Sequence, residues 1–169
     1  IPIEEKVFRN VNFYGSHSRK IAFSIEVEAD NIGKYLFKLP EYKMYINGAI
    51  VREYGNLSKY MRDEVDTTKG FDHYSHLYQQ RRGIIIFDTQ KNYKDNILVI
   101  SDSMSNPIRD VIAAHFNKSV FINLDCHTTE IGPFDIDKYI EQYEINKILF
   151  MVVLENYFPN GEMQHFKVK

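Results

Sequence analysis

The 169-residue chain carries a net charge of −2, with 44% hydrophobic and 26% charged residues, a balance suited to one globular α/β domain with a substantial core. That charge recommends no nucleic-acid or membrane-surface partner, and no apolar run is long enough to span a bilayer. The single cysteine, Cys126, excludes an intramolecular disulfide and argues against a cysteine-based zinc site. Aromatic residues are plentiful, with 12 Tyr, 12 Phe and no Trp. Tyrosine-rich surfaces stack on sugars, but half-buried packing is the commoner use. The opening IPIEEKVFRN has neither an initiator Met nor a signal-peptide pattern, which fits a processed product or an excised fragment.

The first part, residues 1–82, reads as an irregular, β-containing half. Ile21–Glu28 alternates apolar and polar residues, as a half-buried strand does. Tyr42–Val51 reads as a hairpin turning at Asn47-Gly48. Leu57–Val65 suits a short helix. Gly70–Gln80 is rich in aromatics and histidine and has no clean period.

Residues 83–158 read as a strand–helix–strand core. Gly83–Phe87 and Asn96–Ile100 are β-branched runs expected to be buried strands. Asn106–Phe116 carries a helical stripe of Ile108, Val111, Ile112 and Phe116, with Pro107 in the first turn and Ser105 or Asn106 as the cap. Ser119–Leu124 reads as the next strand. Asp135–Ile145 reads as a helix with Ile136, Tyr139, Ile140 and Tyr143 on one face, and Lys147–Leu154 as a last strand. Apolar strands alternating with helices predict a mainly parallel sheet covered on both faces.

In open parallel sheets, functional groups gather at the carboxyl ends of the strands. Three polar clusters follow strands: Ser101–Asn106, Asp125-Cys126-His127, and Glu155-Asn156. The topology predicts that all three meet at one edge. Ser103 is the nucleophile candidate, because a strand-to-helix turn presents its hydroxyl outward and its N–H toward a developing oxyanion. The plainer reading is that these serines cap a helix. Asp102 reads as an acceptor for N–H groups within the turn. No glycine-rich dinucleotide fingerprint or phosphate loop occurs, so no cofactor is expected.

The segment Asn96–Pro107, NILVISDSMSNP, resembles the nucleophile block of the SGNH (GDSL-like) hydrolase superfamily, with Ser101 where the commonest pattern has Gly. The order of features is similar to the DHHW branch, which includes alginate and exopolysaccharide O-acetylation proteins. The matching features are Phe13-Tyr14-Gly15, the Asp102-Ser103 strand end with Asn106 nearby, Phe121–Asp125, the FDIDKYIEQY helix and a strand ending near Asn156. The resemblance implies a single SGNH-like (flavodoxin-like) three-layer sandwich over residues 1–169, complete or partial. It also implies Ser–His–Asp chemistry on an acylated glycan outside the cytoplasm of a bacterium, with Asn156 as an oxyanion donor; a structural cap is the equal alternative for Asn156, which lacks the preceding Gly of the usual pattern.

A serine nucleophile needs a base, and the base needs a carboxylate. In the DHHW branch these come from an Asp-x-His-Trp motif upstream of Phe-Tyr-Gly, and this chain contains no Trp. The base is therefore expected upstream, or at His127 of Asp125-x-His127. Asp72-His73-x-x-His76 reads as an aromatic loop, a substrate rim or a weak metal site; no metal is expected, because too few ligands converge. His165, three residues after Glu162, lies in a tail segment, and His17 and His115 read as surface or packing residues. Two functions remain open on the sequence: a serine esterase or O-acetyltransferase, and a non-catalytic relative that binds glycan or a partner protein.

Overall fold

A computed structural model describes residues 4–13, 30–36, 40–53 and 82–152. The chain divides into two compact units, one formed by residues 1–38 and 56–80, the other by residues 39–55 and 81–169. In the first unit, β1 (Glu4–Phe13) pairs antiparallel with β2 (Asp30–Leu36), with an irregularity between Phe8 and Phe13. The expected strand at Ile21–Glu28, the expected helix at Leu57–Val65, and Tyr14-Gly15 lie outside the described residues.

The second unit is built on six strands in the order β4-β3-β5-β7-β6-β8. They are β3 (Lys43–Ile46), β4 (Ala49–Glu53), β5 (Ile84–Asp88), β6 (Asn96–Ser101), β7 (Lys118–Asn123) and β8 (Lys147–Met151). β-branched residues are frequent in β5 and β6, and Val120 and Ile122 carry them into β7, where stiff side chains suit a pleated surface. Leu98, Val99, Ile100, Val120 and Ile122 are fully buried. Ile84, Ile86, Leu98, Ile100, Val120 and Ile122 form one core face. Burying each such side chain stabilises the fold by about 1.5–3 kcal/mol.

Only the pairs β6–β7 and β6–β8 are parallel; β3–β4, β3–β5 and β5–β7 are antiparallel. The sheet is mixed, which corrects the expectation of a mainly parallel one. The sequence missed this because a strand buried on both faces reads as continuously apolar in either direction. The connection Thr89–Asp95 contains no helix, and β5 pairs with β7 rather than with its sequence neighbour β6.

Asn47 and Gly48 both adopt positive φ, 48° and 85°. They form the two-residue turn that suits the right-handed twist of a hairpin. Asn47 then ties the hairpin to β5: its N–H donates to the Ile84 carbonyl, and its Oδ1 accepts the Ile84 N–H, both at 3.0 Å. Its amide also donates to Glu130 at 2.6 Å, and the same carboxylate oxygen accepts the Gly83 N–H at 2.8 Å. Gly83 has no room for a side chain, since a Cβ would lie 3.0 Å from the His127 Cα.

Among the described residues the unit also holds three helices: α1 (Arg109–Ala113), α2 (Leu124–Glu130) and α3 (Ile136–Tyr143). Asp135 caps α3 by accepting the N–H groups of Asp137 and Lys138. Tyr139, Ile140 and Tyr143 lie against the Leu98/Ile100 core face, as the apolar stripe predicts. Glu144 ends the helix in the left-handed region (φ 51°), and Ile145 N–H closes onto the Ile140 carbonyl. Asn96 satisfies further carbonyls of the last turn, donating to Tyr143 at 3.0 Å and Glu144 at 3.2 Å. Its Oδ1 accepts the Lys118 N–H, so one side chain joins α3, β6 and β7.

Two corrections concern helices. The helix expected over Asn106–Phe116 is a 3-10 turn at Ser103–Ser105 followed by the shorter α1. Asp102 caps the turn, and Ile108 occupies the cap position of α1 without a side-chain bond. The expected strand end at Leu124 is instead the start of α2, capped by Asn123, whose Oδ1 accepts the Cys126 N–H at 3.3 Å. LDCHTTE has no apolar stripe to announce a helix. β8 lies at the sheet edge, where Ile148 and Phe150 are exposed.

Two predictions follow from these contacts. The Ser119 hydroxyl is fully buried and has no hydrogen-bond partner among the described residues, and an unmade buried bond costs about 1–3 kcal/mol. Ser119→Ala is expected to leave stability unchanged or raise it by about 1 kcal/mol, measured by urea unfolding. For Glu130, burial raises the carboxyl pKa, but hydrogen bonds from Asn47 and Gly83 and the charge of Arg82 outweigh it, leaving it below the ordinary value. A depressed carboxyl pKa stabilises the fold above the unfolded value, and this is lost as pH falls below about 4.5. Glu130→Gln is expected to flatten that acid limb of the unfolding midpoint against pH.

Candidate functional site

Parallel pairing sets Ser101 level with Asn123 on one side and Met151 on the other. The turn after β6 and the start of α2 after β7 therefore share one edge of the sheet. Glu155-Asn156 lies outside the described residues, as do His17, Asp72, His73, His76, Glu162 and His165.

The backbone leaves β6 through Asp102, which is extended (φ −103°, ψ −157°). Its carboxylate accepts the Met104 N–H at 2.8 Å, as its place in the turn predicts. Its N–H donates to the Met151 carbonyl at 3.4 Å, joining the turn to β8. Ser103 begins the 3-10 turn and is half-buried, and its carbonyl accepts the Asn106 N–H at 3.1 Å. Met104 is exposed.

Beneath this turn the hydroxyls of Ser101 and Ser105 meet at 2.8 Å, both residues being 2% exposed. The Ser105 hydroxyl also donates to the Asp102 carbonyl at 3.2 Å. Ser101 thus takes part in a buried hydrogen-bonded network. A narrow crevice here is bordered by Ser101, Asp102, Ser105, Asn106, Arg109 and Asn123, with Arg82 beside them. Arg109 is a buried cation on α1. Reading the sequence alone missed Arg109 and Asn123, and read Ser105 only as part of the Ser101–Asn106 cluster and as a helix cap. Asn123 was within reach, because it sits inside the Phe121–Asp125 strand end.

His127 does not lie in a solvated loop. It is 1% exposed, in the last turn of α2. Nδ1 lies 3.0 Å from the Gly132 carbonyl, and Nε2 lies 2.5 Å from the Tyr139 hydroxyl. A carbonyl only accepts, so Nδ1 carries the proton and Nε2 accepts from Tyr139. Burial first, then the neighbouring Tyr143, raises the Tyr139 pKa and keeps this donor protonated. Phe134 and Tyr139 meet the imidazole edge-on, each with ring centroids 5.5 Å away. Both nitrogens are thus committed, Nδ1 to the connection after α2 and Nε2 to Tyr139 of α3. His115, the other described histidine, is exposed beyond the end of α1. Among the described residues no group of three or more His, Cys, Asp or Glu side chains is placed to hold a metal, and no helix is long and apolar enough to cross a membrane.

Burial lowers the His127 pKa; the Gly132 hydrogen bond opposes this, and the charge of Lys138 adds to it. The unfolded chain therefore binds a proton before the folded one does. Stability is expected to fall as pH drops below about 6.5. His127→Gln, which gains no proton, is expected to show a flatter dependence between about pH 5 and 7 in thermal unfolding.

No protein-family model matches the chain, and no match was found among curated proteins. Solved structures do match. PatB1 from Bacillus cereus, in a form with a sulfonyl adduct, is 18% identical with a TM-score of 0.62, covering 97% of this chain and 50% of that one. A second structure of PatB1 gives 18% identity and a TM-score of 0.64, covering 90% of this chain and 49% of that one. A DHHW family protein from Eubacterium siraeum DSM 15702 gives 12% identity and a TM-score of 0.66, covering 90% of this chain and 48% of that one. The chain spans about half the length of these relatives, and at such identities the likeness is one of fold.

Proposed function

We propose that this chain is the nucleophile-bearing part of an SGNH-type serine acyl-ester hydrolase or O-acetyltransferase acting on an extracytoplasmic polysaccharide. The observation that carries this reading is the position of Ser103, on a tightly hydrogen-bonded turn at the carboxyl end of a central parallel strand. The fold likeness to PatB1 and to a DHHW family protein supports it. So does the sulfonyl adduct of PatB1, since such an adduct requires a nucleophile.

In the proposed reaction the Ser103 Oγ attacks the ester carbonyl. Its proton passes to a base, and the carbonyl oxygen becomes the oxyanion of a tetrahedral intermediate. Collapse expels the sugar alkoxide, which takes the proton from the base, and leaves an acyl-serine. Water or a second hydroxyl then accepts the acyl group by the same steps. Within the turn, the Ser103 N–H serves as an oxyanion donor. The side-chain amide of Asn123 is the second donor, because Asn123 lies level with Ser101 and borders the crevice. The base lies outside the described residues, since His127 has both nitrogens engaged in the core.

The test is labelling of Ser103 by a fluorophosphonate in the full-length protein, read by peptide mass spectrometry. Label on Ser103, lost in Ser103→Ala, is the expected result. Asn123→Asp keeps the oxygen that caps α2 but removes the amide donor, and is expected to slow labelling by about 10²-fold or more. No label on Ser103 in the folded protein would assign the domain to glycan or partner binding instead.

A further inference from the structure

The buried serine pair beneath the turn reaches the Asp102 carbonyl. That carbonyl can only accept, and the Ser105 hydroxyl lies 3.2 Å from it. Either serine can be the donor in the 2.8 Å contact between Ser105 and Ser101; with Ser105 turned to the carbonyl, Ser101 is the donor. In that arrangement the chain runs from the Ser101 hydroxyl to the Ser105 oxygen, and from the Ser105 hydroxyl to the Asp102 carbonyl. The Ser105 backbone N–H donates to the same carbonyl at 3.4 Å.

That carbonyl belongs to the peptide bond whose N–H is that of Ser103. No described peptide is cis, and in a trans peptide C=O and N–H point in opposite directions. The carbonyl is turned inward, toward two serines that are 2% exposed. The Ser103 N–H therefore points the opposite way, away from that buried pair. Donation to an amide oxygen also draws electron density from its nitrogen. Hydrogen bonds in series strengthen one another by about 10–30% per bond.

We infer that Ser101 and Ser105 are positioning residues that orient and polarise the Ser103 N–H as an oxyanion donor. This deepens the serine-nucleophile reading and rests on it. It also gives Ser101 a task that glycine, having no hydroxyl, would not perform.

The test has two arms. In the full-length protein, Ser101→Ala is expected to lower kcat for a p-nitrophenyl ester, and the rate of Ser103 phosphonate labelling, by about tenfold, leaving KM within about twofold. Ser101→Thr, which keeps the hydroxyl on a strand position that favours β-branching, restores both. A loss in KM alone, or a failure of Thr to rescue in a protein that melts like wild type, overturns the inference. Ser105→Ala is a second variant should Ser101→Ala fail to fold. The other arm needs no catalysis. The Ser103 amide proton resonance of this chain is expected to move upfield in Ser101→Ala and to stay in place in Ser101→Thr. An unmoved resonance overturns the polarising relay. Wild-type protein that takes no phosphonate label rejects the nucleophile reading, while the resonance still decides the relay.

Discussion

Three parallel strands that end level are the constraint on which the rest of this unit depends. Ser101, Asn123 and Met151 share one register across β7, β6 and β8. Among the described residues, the Asp102-Ser103 turn and the start of α2 leave the sheet from that line. The register is held from the opposite end by Asn96, whose side chain bonds the start of β7 and the end of α3. Asn146 adds to it by accepting the Asn96 N–H. The polar residues at the amino ends set the level at which the carboxyl ends arrive.

Burial imposes the second layer of order. Ser101, Asp102 and Ser105 lie at the margin of an apolar core. Buried polar groups without partners are costly. Here each finds a partner within the turn, so the turn is fixed by the same bonds that satisfy it. A glycine at position 101 would satisfy the strand but would leave Ser105 without this hydroxyl partner.

His127 shows why residue type alone misleads. Asp125-x-His127 has the composition of a catalytic pair, yet its imidazole is spent on Gly132 and Tyr139. A neutral, buried histidine with both nitrogens satisfied is a brace between two helices. It also makes that brace sensitive to acid, because protonation would turn the accepting nitrogen into a donor. Glu130 braces from the other side, linking α2 to the hairpin turn and to β5.

By itself the sequence determined the strands β5 to β8, the Asn47-Gly48 hairpin, the apolar face of α3 and the Asp102-Ser103 turn. These are local matters of β-branched runs, turn propensity and helical period, and they survive into the fold unchanged in kind. Tertiary structure alone decided strand direction, since runs buried on both faces look alike whether parallel or antiparallel. It decided that α2 exists, because a single Asn123 cap starts a helix that has no apolar stripe. It also decided which polar residues meet. Ser105, Arg109 and Asn123 reach the crevice through a turn, a short helix and a neighbouring strand, and the burial that commits His127 to the core is a property of packing, not of spacing.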